Sequence, residues 1–208
     1  TFGIEEHVFT ATVSGLVANE NYRVEVANNA RNAAITTLST PGSLNLFVDA
    51  TFRTGIQNST PQFLNRPFAT FCANEPAVFS PNGFDPNGDA IQYSLTSCRT
   101  LQTTNVSYLP GYNATAPLTT SSGVSINSGT GAISFTPTVA GQVAVICVRA
   151  DEYRNGTLIG SVVRDMQVII QSCNNAPPVI APLPNVVLSV GQTYCVPVSA
   201  TDANTSIK

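Results

Sequence analysis

The sequence predicts an all-β protein made of tandem β-sandwiches, one complete and two partial. Three observations carry this. Asn58-Ser-Thr-Pro61-Gln-Phe63 recurs as Asn175-Ala-Pro-Pro178-Val-Ile180, an offset of 117 residues that also brings Asp85 onto Asp202 and Asn87 onto Asn204. A fixed period of that length marks a tandem array. Short apolar or alternating runs bounded by turn residues recur along the chain, and no stretch shows a sustained helical period with caps. Charge is scarce, at 10% of residues against a usual value of about 25%, with Ser and Thr supplying the polarity of exposed strand faces.

Taken in order, Tyr22-Arg-Val-Glu-Val-Ala27 alternates as a strand, within residues 1–57 read as the C-terminal part of a first sandwich. Residues 58–173 are the complete unit, of a size normal for an Ig-like domain. Inside it, Val143-Ala-Val-Ile-Cys-Val-Arg149 is a strand that joins another near residues 157–171 through Asn155-Gly156. That dipeptide suits the two positive φ angles of a type I′ hairpin turn. Asn174-Asn-Ala-Pro-Pro178 reads as a stiff linker, because each proline restricts the residue before it. Residues 174–208 are then the linker and first strands of a next sandwich. The pattern starts and stops in mid-unit, so a fragment or processed piece is expected.

Gly123-Val-Ser-Ile-Asn-Ser-Gly-Thr-Gly131-Ala-Ile-Ser-Phe-Thr-Pro137-Thr-Val-Ala-Gly141-Gln-Val-Ala-Val resembles the cadherin-like/putative-Ig (dystroglycan-type) repeats, with their Thr-Gly-x-Ile strand, Thr-Pro-x-x-Ala-Gly segment and valine-rich strand. Phe84-Asp-Pro-Asn-Gly-Asp89-Ala-Ile-Gln-Tyr-Ser-Leu95 is similar to the loop and strand that open such domains. Glu152–Gly160, Arg164–Val168 and Arg31–Ile35 are similar to segments of large surface proteins of Bacteroidetes-type bacteria, relatives of which carry gliding-motility-associated secretion domains. The resemblance implies an extracellular, cell-surface repeat protein. One departure stands out. Calcium-binding cadherins carry an Asp-Arg-Glu cluster after the Thr-Gly strand, and Thr136-Pro-Thr-Val139 stands there instead.

The strongest candidate for chemistry is Asp85-x-Asn87-x-Asp89 with Asp151 and Glu152. Calcium takes six to eight oxygen ligands, and a turn with alternate acidic side chains supplies several. In a sandwich the loop after the second strand and the end of the sixth share a pole, so Asp151 is expected to join Asp85, Asn87 and Asp89. Glu75 or a linker carbonyl is a weaker addition. The plainer reading is a turn, since Asp-Pro-Asn-Gly is favourable turn chemistry by itself. Five cysteines without a Cys-x-x-Cys pair argue for disulfides in an oxidising place. Four of them lie in the complete unit, and four allow three pairings. Sandwich strand order favours Cys72–Cys173 and Cys98–Cys147; free buried thiols are the alternative, and Cys195 is left over.

Several classes are excluded. A net charge of −3 with one lysine, Lys208, offers no nucleic-acid footprint. No run of 18 apolar residues exists to span a membrane. His7 is the only imidazole, no Gly-x-Ser-x-Gly elbow appears, and the carboxylates that might form a hydrolytic pair lie beside turns without an aromatic cleft. An enzyme is not expected. Arg164 and Asp165 fall on opposite faces of one strand, with Glu152 or Arg149 as expected cross-strand partners. The reading is a surface adhesin, stalk or filament segment, with calcium-rigidified joints and neighbouring repeats as partners. A carbohydrate-binding module using Tyr93, Tyr108, Tyr112 and Tyr153 on surface polysaccharide, or a fibre subunit exchanging strands with other subunits, is the alternative.

Overall fold

A computed structural model describes residues 6–173, 179–182 and 185–201. It is an all-β sandwich with, among the described residues, fifteen strands and one 3-10 turn at Pro41–Ser43. The strands are β1 (Asn21–Asn28), β2 (Leu46–Arg53), β3 (Gln62–Phe63), β4 (Phe68–Cys72), β5 (Ala77–Phe79), β6 (Gly83–Phe84), β7 (Ala90–Thr96), β8 (Arg99–Leu101) and β9 (Thr104–Asn105). They continue with β10 (Ser125–Ile126), β11 (Ile133–Phe135), β12 (Val143–Arg154), β13 (Thr157–Gln171), β14 (Val179–Ile180) and β15 (Ala200–Thr201).

The centre is the β12–β13 hairpin. Asn155 and Gly156 hold φ of 52° and 78°, so the turn between Arg154 and Thr157 twists with its strands. Around it runs an eight-stranded sheet in the order β7-β12-β13-β2-β8-β9, with β1 beside β2 and β4 parallel to the second half of β13. A three-stranded sheet, β10-β11-β5, packs on one face.

Both faces of β12 are covered, which is why its sequence reads as a continuous apolar run and not as an alternation. Its even positions, Ala144, Ile146, Val148 and Ala150, join Met166, Val168 and Ile170 of β13 and Phe79, Ile133 and Phe135 of the small sheet in one core. Its odd positions, Val145 and Cys147, pack with Cys98, Val106, Ile35 and Leu38 in a second.

That second core corrects the expected domain boundary. Residues 21–53 do not close a separate sandwich: β2 pairs with β13 at Gly160–Val162, and Ile35 and Leu38 are buried against the Cys98–Cys147 region. Arg31, with a side chain 1% exposed, donates to Asp165 at 2.6 Å. Two short matching segments say nothing of which distant residues complete a sheet, and β2 enters this one by long-range pairing. At the other end β14 and β15 pair with each other. The expected linker at 174–178 and the echoed Asp202 and Asn204 lie outside the described residues.

Disulfides join Cys72 to Cys173 and Cys98 to Cys147, the pairing favoured above; Cys195 is free and exposed. Arg164 and Asp165 occupy opposite faces of β13, but with other partners than expected. Arg164 lies over the Phe63 ring and donates to the Asn65 carbonyl, and Asp165 is held by Arg31 rather than by Arg149. Each reaches across to a neighbouring segment because β12 presents small apolar side chains at those registers.

Candidate functional site

The pole of the sandwich beside residues 57–59 gathers the acidic side chains. Asp85 opens the loop between β6 and β7, and its Oδ1 accepts from the backbone N–H groups of Asn87 at 2.8 Å and Asp89 at 3.0 Å. Such side-chain-to-backbone bonds shape the turn, and Gly88 completes it with φ of 82°. Asn87 is committed elsewhere: its Oδ1 accepts from the Ser59 N–H at 2.7 Å.

The β7–β12 register sets Ala90 opposite Tyr153 and Ile91 opposite Glu152, so Asp89, one residue earlier, faces Arg154. The pair is bidentate, with Nε to Oδ1 at 2.8 Å and Nη2 to Oδ2 at 2.5 Å. Arg154 also donates to the Asn58 side chain at 2.9 Å and to the Gln57 carbonyl at 3.1 Å. Its guanidinium holds the Asp89 carboxyl below the usual range.

Glu152 is the side chain that the arrangement leaves unsatisfied. It is 0% exposed, and neither carboxylate oxygen has a hydrogen-bond partner; the Oδ2 of Asp85 is likewise buried and unpartnered. Carboxylate oxygens of Asp85, Asp89 and Glu152 all lie within 4.8 Å of one another. Burial, the largest cause, pushes the Glu152 carboxyl up to about 7; the Asn58 side chain, next in size, pulls it down, and the charges of Asp85 and Asp89 push it up again. Gly160 makes the room: a Cβ there would sit 2.8 Å from Glu152 Oε2 and 3.0 Å from the Thr51 carbonyl.

The expected set is thereby corrected at one position. Asp151 lies on the opposite face of β12, where Arg149 Nε donates to its Oδ1 at 2.6 Å. Period-two alternation allows only one of two adjacent residues to face a given side, and Glu152 follows the core-facing series Ala144, Ile146, Val148, Ala150. Arg149 and Asp151 on the polar side carried that signal in the sequence. Glu75 lies apart, beside Cys72 and Cys173. The sequence reading missed Arg154 and Asn58. For Asn58 a signal lay in the repeat, whose offset matches Asn58 and Asp85 together; for Arg154 the sequence carried none.

Chemically the pole offers hard oxygen donors to a cation. The buried Glu152 carboxylate and the buried Oδ2 of the half-buried Asp85 have open lone pairs, and Asp89 is shared with an arginine; an unpaired buried carboxylate is costly, and hard oxygen donors of this kind would suit calcium. A second acidic group, Asp165 with Cys98 and Cys147, offers no thiolate, because both cysteines are bonded to each other.

Without a divalent ion, stability should depend on pH through Glu152. Its folded value, about 7, lies above its ordinary 4.5. The cost of ionising it is therefore absent below pH 4.5, grows as pH rises toward 7, and is full above that. Denaturant titrations in EDTA should show the wild type losing up to about 3 kcal/mol between pH 5 and pH 8.5. Glu152→Gln should remove most of that slope.

Fold and site define a class: a disulfide-bonded β-sandwich with a carboxylate cluster at one pole. No family model matches the chain, and no curated protein matches it.

Proposed function

We propose that the chain is a non-enzymatic structural segment of an extracellular surface protein, an adhesin, stalk or filament of cadherin-like repeats, with calcium as the ion of its acidic pole. The observation that carries this reading is the buried, unpartnered Glu152 carboxyl facing Asp85. Two disulfides support an oxidising location. Among the described residues no helix is long and apolar enough to cross a membrane.

Asp85, Glu152 and Asp89 would hold the ion, with Asn58 and water completing the shell. Calcium there neutralises charge that burial makes expensive, and it ties the loop at Asp85–Asp89 to the hairpin end and to residues 57–59. The rival, sugar binding on tyrosines, finds less support. Tyr93 is buried in the core, and Tyr112 is engaged with Gln142 and Thr119.

Calorimetric titration and thermal melts test the ion. At pH 7.5, millimolar calcium should raise the melting temperature of the wild type by several degrees, in line with mass action on the folded state. Glu152→Gln and Asp85→Asn should abolish the rise. Identical wild-type melts in calcium and in EDTA would sink the calcium reading.

A further inference from the structure

We infer that β1 is a dimerisation edge, and that its occupant is β1 of a second copy of this chain in antiparallel, two-fold symmetric pairing centred on Val24. β1 pairs with β2 on one side only; among the described residues no strand lies on its other side. Eight residues of open edge are a template for another strand, and this one carries no proline and no lysine. Val24 and Val26 are 56% and 47% exposed.

Register follows from the backbone. Thr54 N–H donates to the Glu20 carbonyl at 2.9 Å, so Glu20 turns its polar backbone groups toward β2. Antiparallel ladders alternate, so Tyr22, Val24 and Val26 do the same, while Asn21, Arg23, Glu25 and Ala27 turn theirs outward. Only outward-facing residues can pair across a new edge, which admits registers centred on Arg23, Val24 or Glu25 and rejects those between them.

Charge selects among the three. Centring on Arg23 sets arginine against arginine, and centring on Glu25 sets glutamate against glutamate, both unfavourable. Centring on Val24 sets Arg23 against Glu25 of the second copy, and symmetry repeats the pair. It also places Val24 on Val24 and Tyr22 on Val26, and makes about eight backbone hydrogen bonds.

Glu25 has need of such a partner. Within its own chain it stands directly opposite Asp49, a like charge, and Asp49 is already shared by Arg23 at 3.4 Å and Arg99. Among the described residues Glu25 forms no ion pair. A second copy brings the missing cation to it, and an isologous contact of this kind closes at two subunits.

Sedimentation equilibrium on the whole chain tests this through a charge swap. The wild type should dimerise at tens to hundreds of micromolar. Arg23→Glu and Glu25→Arg should each be monomeric, since each sets like charges opposite one another twice. The double variant Arg23→Glu/Glu25→Arg should regain the dimer. An equimolar mixture of the two single variants should form a heterodimer, which also shows that each single variant is folded. A monomeric wild type at those concentrations overturns the proposal. So do single variants that dimerise like the wild type, or a double variant and a mixture that both stay monomeric.

Discussion

Arg31→Met should destabilise the fold by about 3–5 kcal/mol in urea titration at pH 8, a loss typical of breaking a buried ion pair by removing one partner. Arg31 and Asp165 have side chains only 1% and 3% exposed, and Arg31 also donates to the Arg99 carbonyl at 2.9 Å. Methionine fills much of the volume, so the loss reports the orphaned carboxylate and not a cavity. Burial pushes the Asp165 carboxyl up, and Arg31 pulls it only part of the way back. In the variant only the upward push remains. Asp165 then binds a proton more tightly in the folded variant than in the folded wild type, so the variant's deficit should shrink as pH falls. Arg31→Met/Asp165→Asn should recover a good part of the loss at pH 8. A deficit of under 1 kcal/mol that is flat with pH would mean that the pair does not anchor residues 30–45 to β13.

That anchor also marks where sequence reading ran out. The strands, the Asn155-Gly156 turn and the acidic loop are local features, written in period-two patterning and in turn chemistry, and they were legible. Which strands share a sheet is a matter of long-range pairing. Arg31 and Asp165 are separated by 134 residues, and neither residue type announces burial, so residues 1–57 read as a separate piece. The site was half legible for a related reason. Asp85 and Asp89 follow from their turn, but choosing Glu152 over Asp151 required the phase of β12, and the apolar run at 143–148 obscures phase by being buried on both faces. Position 149 onward restores it, because Arg149 and Asp151 share the polar side. Glu152 is also the side chain that breaks the usual rule that buried carboxylates are paired. Such local violations concentrate at sites that do something besides fold.

Removing the disulfides should have effects as large as removing Arg31, and the two should differ in kind. Cys72–Cys173 closes a loop of 101 residues and Cys98–Cys147 one of 49. Loop entropy alone gives about 4.7 and about 4 kcal/mol for closures of those lengths. Cys98 and Cys147 are 0% and 1% exposed in the second core, so Cys98→Ala/Cys147→Ala loses packing as well and should be the more damaging variant in denaturant titration. Cys72 and Cys173 are partly exposed beside an apolar hollow lined by Phe71, Pro76 and Ala77. Their pair should therefore yield first to a water-soluble thiol. Under native conditions, timed reduction followed by alkylation and peptide mapping should label Cys72 and Cys173 well before Cys98 and Cys147. The outer disulfide ties the end of β4 to the end of β13, whose strands run parallel with Cys72 beside Gln171. Tension applied at Cys173 then passes into β4 through a covalent bond instead of peeling the last residues of β13 from the sheet. A stalk segment needs that property, and single-molecule extension should show it directly. The oxidised chain should lack the roughly 100 residues of contour length that lie between these two cysteines, and Cys72→Ala/Cys173→Ala should release about half of them at lower force, because the inner Cys98–Cys147 bridge still locks the 49 residues it closes.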